Sequence, residues 1–111
     1  MELIWILVNC ATTEEAQHIG GIVLHERLCA CYDIFNRTKT AYFWPPLSGA
    51  VESGTGALLV LETDAQKFAL VSGRVKELHS DQLPFIGSIA INNISPEYLE
   101  WVRGELELNK K

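Results

Sequence analysis

Six consecutive apolar residues near the amino terminus, Leu3-Ile4-Trp5-Ile6-Leu7-Val8, constrain the fold of this chain more than any other feature. The run ends at Asn9-Cys10-Ala11-Thr12, and its near-continuous hydrophobicity suits a strand, residues 2–10, covered on both faces at the centre of a sheet. It is too short for a signal-peptide core or a membrane span, and no basic region precedes it. The rest of the chain must therefore supply layers on both sides of that strand.

Thr12 with Glu15 three positions later has the spacing of a capping box, which predicts a helix start at that point. Ala16, Ile19, Val23, Leu24 and Leu28 follow at helical spacing, and Gly20-Gly21 inside the stripe predicts either close backbone packing or a locally weak helix. Residues 30–44 favour extended chain, with a bend or bulge at Asn36-Arg37. Pro45-Pro46-Leu47-Ser48-Gly49 and Ser53-Gly54-Thr55-Gly56 carry turn chemistry, so the next strand is expected over residues 57–63, closing a hairpin with an irregular tip. Thr63 and Gln66 repeat the capping spacing ahead of a helix striped by Phe68, Val71, Val75 and Leu78 and ending near His79. Pro84 then opens a last strand running to about Ile91. Ser95-Pro96-Glu97 starts a third helix whose face is Tyr98, Trp101, Val102 and Leu106, with Lys110 and Lys111 placed near its carboxyl end.

The order β-α-β-β-α-β with a trailing helix is that of the α+β, ferredoxin-like antiparallel sheet, and 111 residues make one such domain, residues 1–111. Two helices on one face leave the other sheet face bearing aromatics, which predicts a homo-oligomer with the hairpin as an arm exchanged between subunits. The alternative is that the third helix folds over the sheet and seals a monomer. A net charge of −5 and a pI near 5.1 argue against nucleic acid or an anionic membrane as partner. Three cysteines, Cys10, Cys29 and Cys31, suggest no disulfide framework and fit reduced thiols in the cytoplasm.

Four segments carry a resemblance to a known family. Glu26-Arg27-Leu28 leading into Ala30-Cys31 matches E-R/K-L-A-A-C-V-N, Thr40-Ala41-Tyr42-Phe43-Trp44 matches S-I-Y-x-W, Val75-Lys76-Glu77-Leu78-His79 matches the approach to H-P-Y-x-x-P-E, and Tyr98-Leu99-Glu100-Trp101 matches Y-L-x-W. Together, in this order, they resemble the CutA divalent-cation tolerance family over nearly the whole chain. The resemblance implies a homotrimer related in shape to the PII signalling proteins, and an association with tolerance to copper and other divalent metals. The chain departs from the family pattern at His79-Ser80-Asp81-Gln82-Leu83-Pro84-Phe85, where the proline and tyrosine are lost and Phe85 replaces the glutamate. It departs again at Leu61-Glu62-Thr63, where Glu62 reverses the charge of the lysine in L-x-K-T.

The candidate metal ligands are Cys10, whose thiolate suits a soft ion such as copper, and His79, whose imidazole suits copper or another divalent metal ion. The structural reading stands beside it, with Cys10 a small hydrophobe and His79 a helix-end cap. Cys29 and Cys31 fall on one face if that segment is extended. Tyr42, Phe43, Trp44, Tyr98 and Trp101 could line a small-molecule cleft to which Glu62 and Asp81 add carboxylates, or form interface core. His18 and His25 lie two helical turns apart, too far to share an ion, and no phosphate loop or nucleophile with an oriented base is visible. A non-enzymatic metal binder is thus expected, and the alternative is a PII-like trimeric scaffold for a small molecule or protein whose metal site has been lost.

Overall fold

The amino-terminal apolar run does occupy the middle of a sheet. The computed structural model describes residues 1–107, and in it β1 (Leu3–Cys10) lies between β3 (Val51–Asp64) and β4 (Ile86–Ala90), with β2 (Cys31–Phe43) at the far edge. All three pairings are antiparallel. Helices α1 (Thr13–His25), α2 (Phe68–Leu78) and α3 (Pro96–Glu107) complete the expected ferredoxin-like order. Among the described residues no helix is long and apolar enough to cross a membrane.

Strand alternation assigns the faces. Ile4, Ile6, Val8 and Cys10 of β1 meet Leu59 and Leu61 of β3, Ile19 and Val23 of α1, and Val71 and Val75 of α2 in one core. Burying each larger aliphatic side chain is worth ~1.5–3 kcal/mol, so this face holds the protomer together. On the reverse face Leu3 packs with Val102 and Leu106 of α3. The third helix closes that end alone, because Trp5, Phe35 and Ile89 on the same face remain 38%, 53% and 50% exposed.

The start of α1 follows its sequence closely. Thr12 Oγ1 accepts the Glu15 amide at 3.0 Å, and Glu15 Oε1 accepts the Ala11 amide at 2.8 Å, one residue upstream of the usual box partner. The two glycines differ: a Cβ on Gly20 would lie 2.8 Å from the Tyr32 ring, whereas Gly21 faces open space. Leu28, expected on the helical stripe, lies beyond the end of α1 but still packs on the core. Between them Arg27 turns the chain at φ 58°, and its guanidinium donates to the Glu105 carbonyl and carboxylate, tying this corner to α3.

Three sequence expectations are corrected. The third strand starts at Val51, not residue 57, and the Ser53-Gly54-Thr55-Gly56 segment is paired strand, with Ser53 opposite Ala41 and Gly54 opposite Thr40. Here the hairpin leaves the body as a two-stranded arm exposed on both sides, so the backbone ladder alone sets its structure and small polar residues are tolerated. The turn itself is residues 44–50, and the register shift expected near Asn36-Arg37 falls between Arg37 and Thr40. Thr63 does not cap α2; it is buried and its hydroxyl donates to the Leu28 carbonyl at 2.7 Å. Asp64 takes the capping role, accepting the Gln66 amide ahead of a 3-10 turn (Ala65–Lys67) that leads into α2. The last strand is shorter than expected, since Pro84, Phe85 and Ile91 fall outside it. The placement expected for Lys110 and Lys111 lies outside the described residues.

Candidate functional site

The end of β1, the first turn of α1 and the end of α2 meet at one corner, because the sheet face that binds the two helices ends there. Cys10 is the last residue of β1 and points inward, 3% exposed. Glu15 is held in the first turn of α1 by the cap. His79 ends α2 with an extended backbone, which turns its fully buried side chain back under the Asn9 peptide. Ligand atoms of Cys10, Glu15 and His79 all lie within 4.8 Å of one another. The two residues expected from the sequence are thus brought together, and Glu15 joins them.

Hydrogen bonds fix the state of each group. The Asn9 carbonyl sits 2.7 Å from His79 Nε2 and can only accept, so that nitrogen carries the hydrogen. Nδ1 is then the bare nitrogen; it accepts the Asp81 amide at 3.0 Å and lies 3.9 Å from Glu15 Oε2. Glu15 Oε1 serves the Ala11 amide and Oε2 the Ser80 amide, both at 2.8 Å. Burial raises the Glu15 pKa, but hydrogen bonds from Ser80 and Ala11 and the nearby His79 outweigh it and leave the carboxyl below its ordinary value. Cys10 behaves oppositely: burial first, then the Glu15 and Asp81 carboxylates, push its thiol up to about 12 against a smaller pull from Arg37.

A protonated thiol, a carboxylate and an imidazole with one unprotonated nitrogen form a mixed sulfur, oxygen and nitrogen donor set. Such a set suits zinc or copper rather than the all-oxygen shells of calcium and magnesium. The fit extends outward, because a ligating histidine commonly has its other ring nitrogen held by a backbone carbonyl, as Asn9 holds His79. The same geometry argues against a nucleophile. A reactive cysteine needs a depressed pKa, and Cys10 is buried and shifted the other way.

The other sequence candidates are dispersed. Cys29 is buried in the core on the helix-covered face, whereas Cys31 pairs with Glu62 on the reverse face, so the two thiols do not share a side. Glu62 accepts from Tyr98 Oη and, at 2.7 Å, from Trp5 Nε1, and Tyr98 stacks at a tilt on Trp101. Tyr42, Phe43 and Trp44 belong to the arm; Tyr42 pairs with Glu52, ten residues along β3 from Glu62, a separation of about 30 Å. The five aromatics therefore form no single cleft within one chain. Phe85 lies against Gly87, half-exposed, and His18 and His25 are exposed on α1. Sequence reasoning identified Glu15 only as a cap; its second oxygen had no assigned partner, and that spare acceptor was the available clue.

The CutA1 divalent ion tolerance protein family matches residues 4–105. A CutA homolog of Danio rerio is 35% identical over 97 residues, which are 87% of this chain and 63% of that protein, so the chain spans less than two thirds of that relative. The divalent-cation tolerance protein CutA of Archaeoglobus fulgidus is 32% identical over 103 residues, 93% of this chain and 97% of its own length. Among solved structures, the periplasmic divalent cation tolerance protein CutA from Archaeoglobus fulgidus superposes with a TM-score of 0.88 at 31% identity, covering 95% of this chain and 99% of that one. CutA1 from Pyrococcus horikoshii superposes with a TM-score of 0.84 at 25% identity, covering 92% and 96%.

Proposed function

The chain belongs to the CutA1 divalent ion tolerance family, and from that premise we propose that it is a metal-binding protein, not an enzyme, that takes copper or another divalent metal ion at Cys10, Glu15 and His79 and works as a homotrimer. The observation that supports the metal site is the convergence of three donors within 4.8 Å around an imidazole whose tautomer leaves Nδ1 unprotonated. When bound, the ion would replace the thiol proton of Cys10, so a group pushed up to about 12 by burial becomes a thiolate only in the ion's company. Affinity is thereby held to modest values near neutral pH, as suits a protein that answers to excess metal.

The homotrimer reading draws on the reverse face of the sheet. Trp5, Phe35 and Ile89 lie uncovered there, and the arm beside it exposes Phe43, Trp44, Leu47 and Val51. An exposed face and a projecting apolar arm on one chain are suited to a head-to-tail contact between copies, which closes into a ring when the rotation between them is that of a closed symmetry. Three free thiols fit a reducing compartment, and we place the protein in the cytoplasm. Native mass spectrometry of the reduced protein, with and without copper(I), tests both parts. We expect a trimer that gains one ion per subunit and loses that gain in Cys10→Ser and in His79→Ala. A trimer that gains nothing would overturn the metal site and favour a PII-like scaffold, whereas a monomer would overturn the assembly.

A further inference from the structure

The metal site is closed by the loop that follows it. An imidazole nitrogen has one lone pair, and the lone pair of His79 Nδ1 is taken by the Asp81 amide at 3.0 Å. It cannot serve an ion and that amide together. One residue earlier, the Ser80 amide holds Glu15 Oε2 at 2.8 Å, the carboxylate oxygen that faces the same ring. Of two adjacent amides of one loop, one thus occupies the only lone pair of His79 Nδ1, and the other takes one lone pair of Glu15 Oε2 and fixes its direction. His79 Nε2 offers no way around, because its hydrogen is committed to the Asn9 carbonyl.

Resting on the metal reading above, we propose that Ser80 and Asp81 form a latch over the site, which an ion must displace, so that occupancy of Cys10, Glu15 and His79 releases the loop of residues 80–84. The loop is suited to move. Ser80, Asp81, Gln82 and Leu83 are exposed, with Leu83 80% so, and β4 does not begin until Ile86. Its hydrogen bonds to the body include the pair of amide contacts, a bond from the Ser80 hydroxyl to Glu15, and the bond from the Asn9 amide to the Phe85 carbonyl at 3.3 Å, a long one. Release would turn a buried binding event into a change at the surface.

Zinc(II) is a suitable diamagnetic probe for the same donors. In reduced wild-type protein, amide hydrogen exchange at Ser80 and Asp81 is expected to speed up about tenfold or more on saturation with zinc, with amides of residues 4–8 unchanged, the scale of losing one hydrogen bond. Ser80→Pro removes the first amide, and His79 already has ψ 144°, which the residue before a proline requires. That variant should bind zinc about tenfold more tightly, while Ser80→Ala, which keeps the amide and drops only the hydroxyl that also bonds Glu15, should fall between it and wild type. Zinc binding with exchange at residues 80 and 81 unchanged, and Ser80→Pro no tighter, would overturn the latch and leave the metal site standing. No zinc uptake by wild type or Ser80→Pro would overturn both. If circular dichroism shows Ser80→Pro unfolded, the wild-type exchange measurement decides alone.

Discussion

On the side of the sheet that α1 and α2 cover, Ile4, Ile6, Val8 and Cys10 of β1 are at most 4% exposed, while Trp5 on the reverse side of the same strand is 38% exposed and its β4 neighbour Ile89 is 50% exposed. One strand thus meets two different environments. The covered face has an aliphatic core shared by two helices and, with its partly buried members, all four strands. The reverse face has α3 at one end, Glu62 gripped by Tyr98 and Trp5, and apolar rings left over. The difference teaches that the core of the protomer and the surface proposed for assembly lie on opposite sides of one sheet.

The largest expected effect tests that division directly. Leu59→Ala, on the covered face and fully buried, should cost about 2–5 kcal/mol in urea unfolding, since a methyl remains where a packed isobutyl group stood. Phe35→Asp on the reverse face should leave the circular dichroism of the protomer intact and reduce the mass seen by light scattering to 12.4 kDa. If Phe35→Asp unfolds the chain outright, the two faces are one cooperative core and the comparison breaks.

The same division explains which parts of the chain were legible in its sequence. β1 and the helices were readable because their residues face a core, and burial imposes a period on the sequence. The outer half of β3 was not, because Glu52, Ser53 and Gly54 face solvent on an arm whose ladder needs only backbone groups. Thr63 misled for a related reason. Its hydroxyl has the right spacing for a cap, yet its partner is the Leu28 carbonyl, a contact between residues 35 apart that no local pattern announces. At the candidate metal site Cys10 and His79 were legible as polarisable or titratable groups at element ends. Glu15 carries two roles on two oxygens, and only the local one, toward Ala11, has a sequence signature; the contact with Ser80 spans 65 residues.

A second, smaller effect separates the faces by pH. Cys10 and Cys29, both on the covered side, are pushed up to about 12 chiefly by burial, whereas unfolded thiols titrate near their ordinary value of 9.0. Between those values the unfolded chain has lost protons that the folded chain keeps, so stability falls as pH rises through that window and is fully present below it. Urea midpoints measured from pH 7 to 10.5 should decline at the alkaline end, and Cys10→Ala with Cys29→Ala should flatten the decline. An equal flattening by Cys31→Ala alone would place the sensitive thiol on the reverse face and contradict the assignment.

The finest test lies within α1, where Gly20 and Gly21 are adjacent in sequence and opposite in environment. A Cβ at Gly20 would meet the Tyr32 ring at 2.8 Å, and that ring is packed on the covered core, so Gly20→Ala must push an aromatic side chain out of place at a cost of about 1–3 kcal/mol. A Cβ at Gly21 meets nothing within 4 Å. Gly21→Ala gains helix propensity and restricts the unfolded chain, and should stabilise by about 0.5–1 kcal/mol. Opposite signs for neighbouring glycines, read from urea midpoints at constant slope, would show that it is the covered face, not the helix itself, that demands glycine at residue 20. Matching signs would mean that the helix tolerates both substitutions alike and that Tyr32 is free to yield.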